Sequence, residues 1–166
     1  MSEQLLSVQT AEGVVVVTFI THGRSPSLPS GASWLDSAEG YWHRPATDAN
    51  IAAELARSMP GSPPWRRITR ADLPTDREFR NAWSDDGRAI GHDMSKARGL
   101  HLERLRADRV PRLEALDREW SRATGQKRTA EATRIEAERQ ALRDMPTRVQ
   151  PALDAAQTIG DLRTVV

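Results

Sequence analysis

A chain of 166 residues, 38% hydrophobic and 28% charged, is long enough for one domain or one domain with an appendage, and too apolar to be disordered. Its net charge of +1 gives no global electrostatic case for nucleic acid, and the lack of cysteine excludes disulfides, thiolate metal sites and cysteine nucleophiles. The first twenty residues lack a basic start and a small-residue cleavage site, so no signal peptide is expected, and the longest apolar run, Val14 to Ile20, is too short to span a bilayer.

Two strands are predicted at the start, Gln4 to Thr10 and Val14 to Thr21. Leu6, Val8 and Thr10 alternate with polar residues, the second segment is β-branched almost throughout, and Ala11-Glu12-Gly13 between them is a hairpin loop ending in glycine. A strand apolar on both faces needs a cover on each side, which a lone hairpin lacks; extension of a sheet in a neighbouring subunit would supply one. Residues 22–50 read as irregular, with Pro26, Pro29, Gly31, Gly40 and Pro45. Trp34, Tyr41 and Trp42 lie in this stretch, either pinned into a local core or presented to a partner. A short helix is predicted from Ile51 to Met59, with Ile51 and Leu55 on one face, and Pro60-Gly61-Ser62-Pro63-Pro64 breaks it. Trp65 to Ile68 is extended.

The stretch from Pro74 to Met145 dominates the chain. Thr75 and Glu78 have capping-box spacing, and Phe79, Ala82 and Trp83 fall at i, i+3, i+4, which predicts a short helix ended by Asp85-Asp86-Gly87. Asp93 or Ser95 caps the next helix, which carries Leu102, Leu105, Val110, Leu113, Leu116 and Trp120. The last three of these step by three and four, as in a heptad seam, but the step from Leu105 to Val110 is five and Pro111 sits at the skip. One kinked helix is favoured over two helices broken near Arg109, because Asp108/Arg112 and Glu114/Arg118 keep i, i+4 spacing on both sides. Gly125 reads as a stop, Thr129 to Arg143 as a second helix closed by Pro146, and Gly125-Gln126-Lys127 as the turn of a helical hairpin. Pro151 to Gln157 is a short helix, and Thr158 caps a last turn.

The fold class is therefore α+β, mainly α: a small N-terminal β-hairpin region, then a helical hairpin with a long, Pro-kinked amphipathic helix. The predicted division is 1–65 as a docking region, 66–92 as a linker with a short capped helix, and 93–166 as the hairpin with C-terminal short helices. The apolar stripe of the helices is thin, so burial against another chain, as a homo-oligomer, or against the N-terminal region is expected.

Charge divides mildly, with nine Arg against eleven acids in residues 1–92 and thirteen Arg plus Lys96 and Lys127 against twelve acids in 93–166. The basic residues of the helices alternate with acids, so a solvated face is preferred to a nucleic-acid stripe. Arg outnumbers Lys by twenty-two to two, which fits bidentate carboxylate contacts or a GC-rich genome. His22, His43, His92 and His101 fit no metal-ligand spacing, Asp72, Asp76, Asp85 and Asp86 suit caps and turns, and Ser25, Ser27 and Ser30 have no nucleophile elbow. No catalytic, cofactor or metal residues are predicted and no enzyme is expected. The candidate interface residues are Trp34, Trp42 and Trp65 outside the helices, and Leu102, Leu105, Leu113, Leu116 and Trp120 on the long helix.

The strings Leu73-Pro74-Thr75-Asp76-Arg77-Glu78-Phe79-Arg80-Asn81-Ala82-Trp83, Asp93-Met94-Ser95-Lys96-Ala97-Arg98, Leu113-Glu114-Ala115-Leu116-Asp117 and Arg139-Gln140-Ala141-Leu142-Arg143-Asp144-Met145-Pro146 resemble a family of small proteins of tailed bacteriophages and prophages. Its members are labelled tail assembly chaperones or phage tail proteins. The resemblance covers about residues 66–166, and residues 1–65 match no familiar domain. It implies a tail-module protein near the tail tip, baseplate or fibres whose partners are other phage tail proteins, with no catalytic residues; the charge balance and the short apolar runs are what argue against nucleic-acid and membrane partners. Two roles follow from the resemblance. One is a structural component of the virion tail; the other is a transient assembly chaperone in the host cytoplasm.

Overall fold

The structure is a computed structural model that describes residues 4–166; residues 1–3, which enter the leader reading, lie outside the described residues. The chain forms two units, Met1–His92 and Asp93–Val166. Half of it is helical and 21% is strand, a mixed α+β fold that is mainly α.

In the first unit, β1 (Gln4–Thr10) and β2 (Gly13–Phe19) pair antiparallel from Gln4↔Phe19 to Thr10↔Gly13. Gly13 closes the turn at φ 139, a conformation that side chains rarely adopt. The stretch expected to be irregular holds a second sheet: β3 (His22–Arg24), β4 (Ser33–Asp36) and β5 (Tyr41–His43), in the order β3-β5-β4. Helix α1 (Asp48–Ser58) starts at Thr47, whose hydroxyl accepts from the Asn50 amide. Strand β6 (Trp65–Ile68) then returns to pair with the other side of β1, giving the sheet order β2-β1-β6.

Residues 66–92 are therefore not a linker. The predicted helix over Phe79–Trp83 is absent; one 3-10 turn at Arg80–Ala82 leads into β7 (Trp83–Asp85), which pairs with β8 (Ile90–His92). The hairpin wins because its turn is fully specified. Asp85 Oδ1 accepts from the Gly87 amide at 2.8 Å, Asp86 Oδ1 accepts from Arg88 and Ala89, and Gly87 takes φ 87. The capping box forms earlier than expected, at Thr69 and Asp72.

Both faces of the β2-β1-β6 sheet find cover within this unit. Leu6, Val8, Val17 and Phe19 pack with Ile51 and Leu55 of α1. On the reverse, Leu5, Val14 and Val16 pack with Ile68, Leu73, Trp83 and Ile90. The cover sought from a neighbouring subunit is supplied by α1 and the β7–β8 hairpin.

The second unit is a helical hairpin. Helix α2 (Met94–Gly125) begins at Asp93, whose carboxylate accepts from the Ser95 and Lys96 amides, and runs through Pro111 as one helix. Helix α3 (Thr129–Ala155) does not stop at Pro146; it continues through Pro146 and Pro151, absorbing the separate helix expected from Pro151. Proline at 146 deprives the Leu142 carbonyl of its helical donor. Arg109 of α2 replaces that donor, with Nη1 2.9 Å from Leu142 O and 3.2 Å from Arg143 O. Arg98 likewise donates to Ala156 O at 2.8 Å, placing a cation at the C-terminus of α3. Helix α4 (Ile159–Thr164) is capped by Thr158 and Asp161.

Leu116, Ala123 and Ile135 form the buried seam between α2 and α3, flanked by Trp120, Ala132 and Leu142. Arg112, expected to pair along its own helix with Asp108, instead reaches across to Glu138 at 3.1 Å. The turn differs in one detail from the sequence reading. Gly125 is the last helical residue, and Lys127 takes the left-handed position at φ 55. Lys127 N donates to Thr124 O and Arg128 N to Ala123 O, the two bonds of a Schellman motif. Lys127→Gly is expected to raise stability by about 0.5–1 kcal/mol in urea unfolding, since only glycine adopts this conformation without Cβ strain.

Candidate interaction surfaces

The second sheet resolves the aromatic cluster. On β5, Tyr41 and His43 face outward and Trp42 inward, at 45% exposure for Tyr41 against 7% for Trp42. Trp42 lies against Gly23, where a Cβ would come within 2.7 Å of the indole ring, so only glycine fits opposite it. Trp42 is thus a core residue, not an interface anchor. Its register partner Trp34 belongs to β4, an outer strand whose four residues are all exposed. Trp34, Leu35 and Tyr41 are 38%, 70% and 45% exposed, and Arg24 sits 5.4 Å from the Tyr41 ring centroid.

Trp65, also predicted as an interface residue, is half-buried and packs on the core beside α1, with Arg67 over its ring at 5.7 Å. Leu116 is 1% exposed inside the α2–α3 seam, so it too is withdrawn from any partner surface. Trp120 packs beside that seam, its ring 5.2 Å from the Arg139 guanidinium. Leu102, Leu105 and Leu113 are half-buried. Of the eight predicted interface residues, Trp34 alone lies in the exposed class, and sequence reasoning missed Leu35 beside it. The one local signal was the Asp36–Gly40 turn that ends the strand: Asp36 Oδ1 accepts from the Ala38 and Glu39 amides.

Two buried charge clusters hold the first unit together. Arg44 donates to Glu54 at 3.0 Å, and its guanidinium lies 4.4 Å from the Phe19 ring centroid. Burial pushes the Glu54 carboxyl up, but hydrogen bonds from Arg44 and Arg57 outweigh it and hold it below the usual carboxylate range. Asp85 accepts from Ser7 Oγ, from Arg66 Nε at 2.8 Å and from the Gly87 amide. Burial raises this carboxyl too, and the Arg66 and Ser7 hydrogen bonds reverse the shift and hold it low. Both clusters have satisfied acids in fixed ion pairs, an arrangement suited to structure rather than proton transfer.

Among the described residues no group of three or more His, Cys, Asp and Glu is placed to hold a metal ion. His22 Nδ1 is 3.0 Å from Thr21 Oγ1, and His101 Nε2 is 2.9 Å from Val165 O at the end of α4. No helix among the described residues is long and apolar enough to cross a membrane. Comparison with models of known families, with curated proteins and with solved structures gives no match. What the geometry offers is surface: the outer strand β4 with its aromatic and aliphatic side chains, and an arginine-lined groove beside β2.

Proposed function

We propose that this chain is a structural component of a bacteriophage tail, in the tip, baseplate or fibre region, and that it acts through protein–protein contacts. The motif resemblance over residues 66–166 supports the tail assignment. The observation that carries the contact reading is strand β4: an outer strand, exposed at all four residues, that offers Trp34 and Leu35 together with unpaired main-chain groups. Such edges are normally blunted by charge, proline or a covering segment, and one that leaves a tryptophan and a leucine side by side in solvent marks a place for another chain. Residues 1–92 are then the docking unit and the helical hairpin the unit held by neighbours. The protein resides in the virion tail and, before incorporation, in the host cytoplasm.

Mass spectrometry of purified particles tests this. Peptides of the chain are expected at stoichiometric abundance relative to other tail proteins. Their presence in the infected cell but absence from mature particles would replace the structural role with that of a transient tail or fibre assembly chaperone.

A further inference from the structure

Beside β2 runs a groove of about 500 Å³, formed wholly by the first unit. Val14, Val16 and Leu73 give it an apolar floor, and Arg70, Arg77 and Arg80 line it without any acidic residue. Val15 also contributes to the wall, so three consecutive residues of β2 border the groove. An unbroken run of residues, rather than every second one, follows the edge of a strand. β2 is outermost in the order β2-β1-β6, and among the described residues no strand pairs with it beyond β1. Arg77 and Arg80 are exposed, and neither guanidinium has an ion-pair or hydrogen-bond partner among the described residues.

We propose that this groove receives an extended, acidic segment of a partner protein, added to the sheet as a fourth strand beside β2. The outer edge of β2 supplies main-chain hydrogen bonds, the valine and leucine floor takes alternate apolar side chains, and the arginines take the carboxylates between them. Charge complementarity selects the occupant, since the exposed guanidiniums of Arg77 and Arg80 repel a basic strand and gain from an acidic one. A protein strand is favoured over single-stranded nucleic acid because the floor is aliphatic. Its one aromatic, Trp83, is 6% exposed and offers no platform for stacked bases. The proposal rests on the assembly reading only in taking the occupant to be protein, and this surface is distinct from β4.

The test uses the full chain and a short fluorescein-labelled peptide with blocked ends, alternating glutamate and valine. Saturable binding is expected by fluorescence polarisation, with slowed hydrogen exchange at the β2 amides. A peptide with lysine in place of glutamate is expected not to bind. The double variant Arg77→Glu/Arg80→Glu, whose circular dichroism should match the parent, is expected to weaken binding by about tenfold or more. Lack of binding at about 1 mM peptide, equal binding of the lysine peptide, or indifference to the double charge reversal overturns the proposal. So does arginine-dependent capture of an oligothymidine strand when the peptide fails to bind. Particle mass spectrometry is independent of all these outcomes, so a failed groove and a failed tail assignment are told apart.

Discussion

Arg44→Met is expected to lower the stability of the first unit by about 3 kcal/mol in urea unfolding. The side chain is 8% exposed and serves several elements at once. It donates to Glu54 of α1 at 3.0 Å, to Ser30 O at 3.5 Å and to Ile20 O at 3.4 Å, while its plane lies 4.4 Å from the Phe19 ring and 5.9 Å from the Trp42 ring. The ring contacts alone would account for about 0.5–2 kcal/mol. The larger part comes from leaving Glu54 without its buried partner, tempered because Glu54 is 27% exposed and keeps Arg57. Arg44→Lys keeps the charge but loses the flat fork that bonds and stacks together, and should fall between parent and Met. The double variant Arg44→Met/Glu54→Leu removes both charges and is expected to recover most of the loss. A single variant within about 1 kcal/mol of the parent would show that the pair contributes only as a surface salt bridge does.

Sequence periodicity found the elements whose reason for existing is local. β1 and β2 follow from alternation and β-branching, α1 from Ile51 and Leu55 four apart, though the Thr47 cap starts it at Asp48 and not at Ile51, and α2 from the Asp93 cap. It failed where a distant residue decides. Pro146 stops an isolated helix, but Arg109, thirty-three positions before Leu142, bonds the Leu142 carbonyl that proline orphans. Phe79, Ala82 and Trp83 have helical spacing, yet Trp83 is drawn into a strand because its hairpin covers the valine face of the first sheet. Strands β3 to β5, three or four residues each and interrupted by glycine and proline, are too short for periodicity to register. The candidate surfaces share this fate. Trp42 and Trp34 are alike in sequence context, and only the pleat of β5 and the bare side of β4 separate core from surface. The arginine groove joins β2 to residues some sixty positions away, a relation that spacing along a single strand does not contain.

The same non-local logic makes Asp85 the residue on which docking of the β7–β8 hairpin turns. Its carboxylate is 2% exposed and binds Ser7 of β1, Arg66 of β6 and the Gly87 amide of its own turn, while Gln9 Nε2 donates to its carbonyl at 2.8 Å. Asp85→Asn puts an amide donor where only acceptors fit and leaves Arg66 without its counter-charge, so a loss of about 3 kcal/mol is expected at neutral pH. Ser7→Ala should cost only about 1 kcal/mol, because the carboxylate keeps its other donors. The pH dependence fixes the cause. The folded carboxyl titrates below its unfolded value of about 3.9, so its contribution is fully present above that pH and is lost as pH falls through the lower, folded value. The gap between parent and Asp85→Asn should therefore be constant from neutral pH down to about 4 and close below it. A gap that persists unchanged in acid would assign the loss to packing instead of charge. Trp83, two residues back on the same strand, lines the arginine groove. Asp85→Asn should therefore also weaken capture of the acidic peptide, whereas Ser7→Ala, which leaves the hairpin anchored, should not.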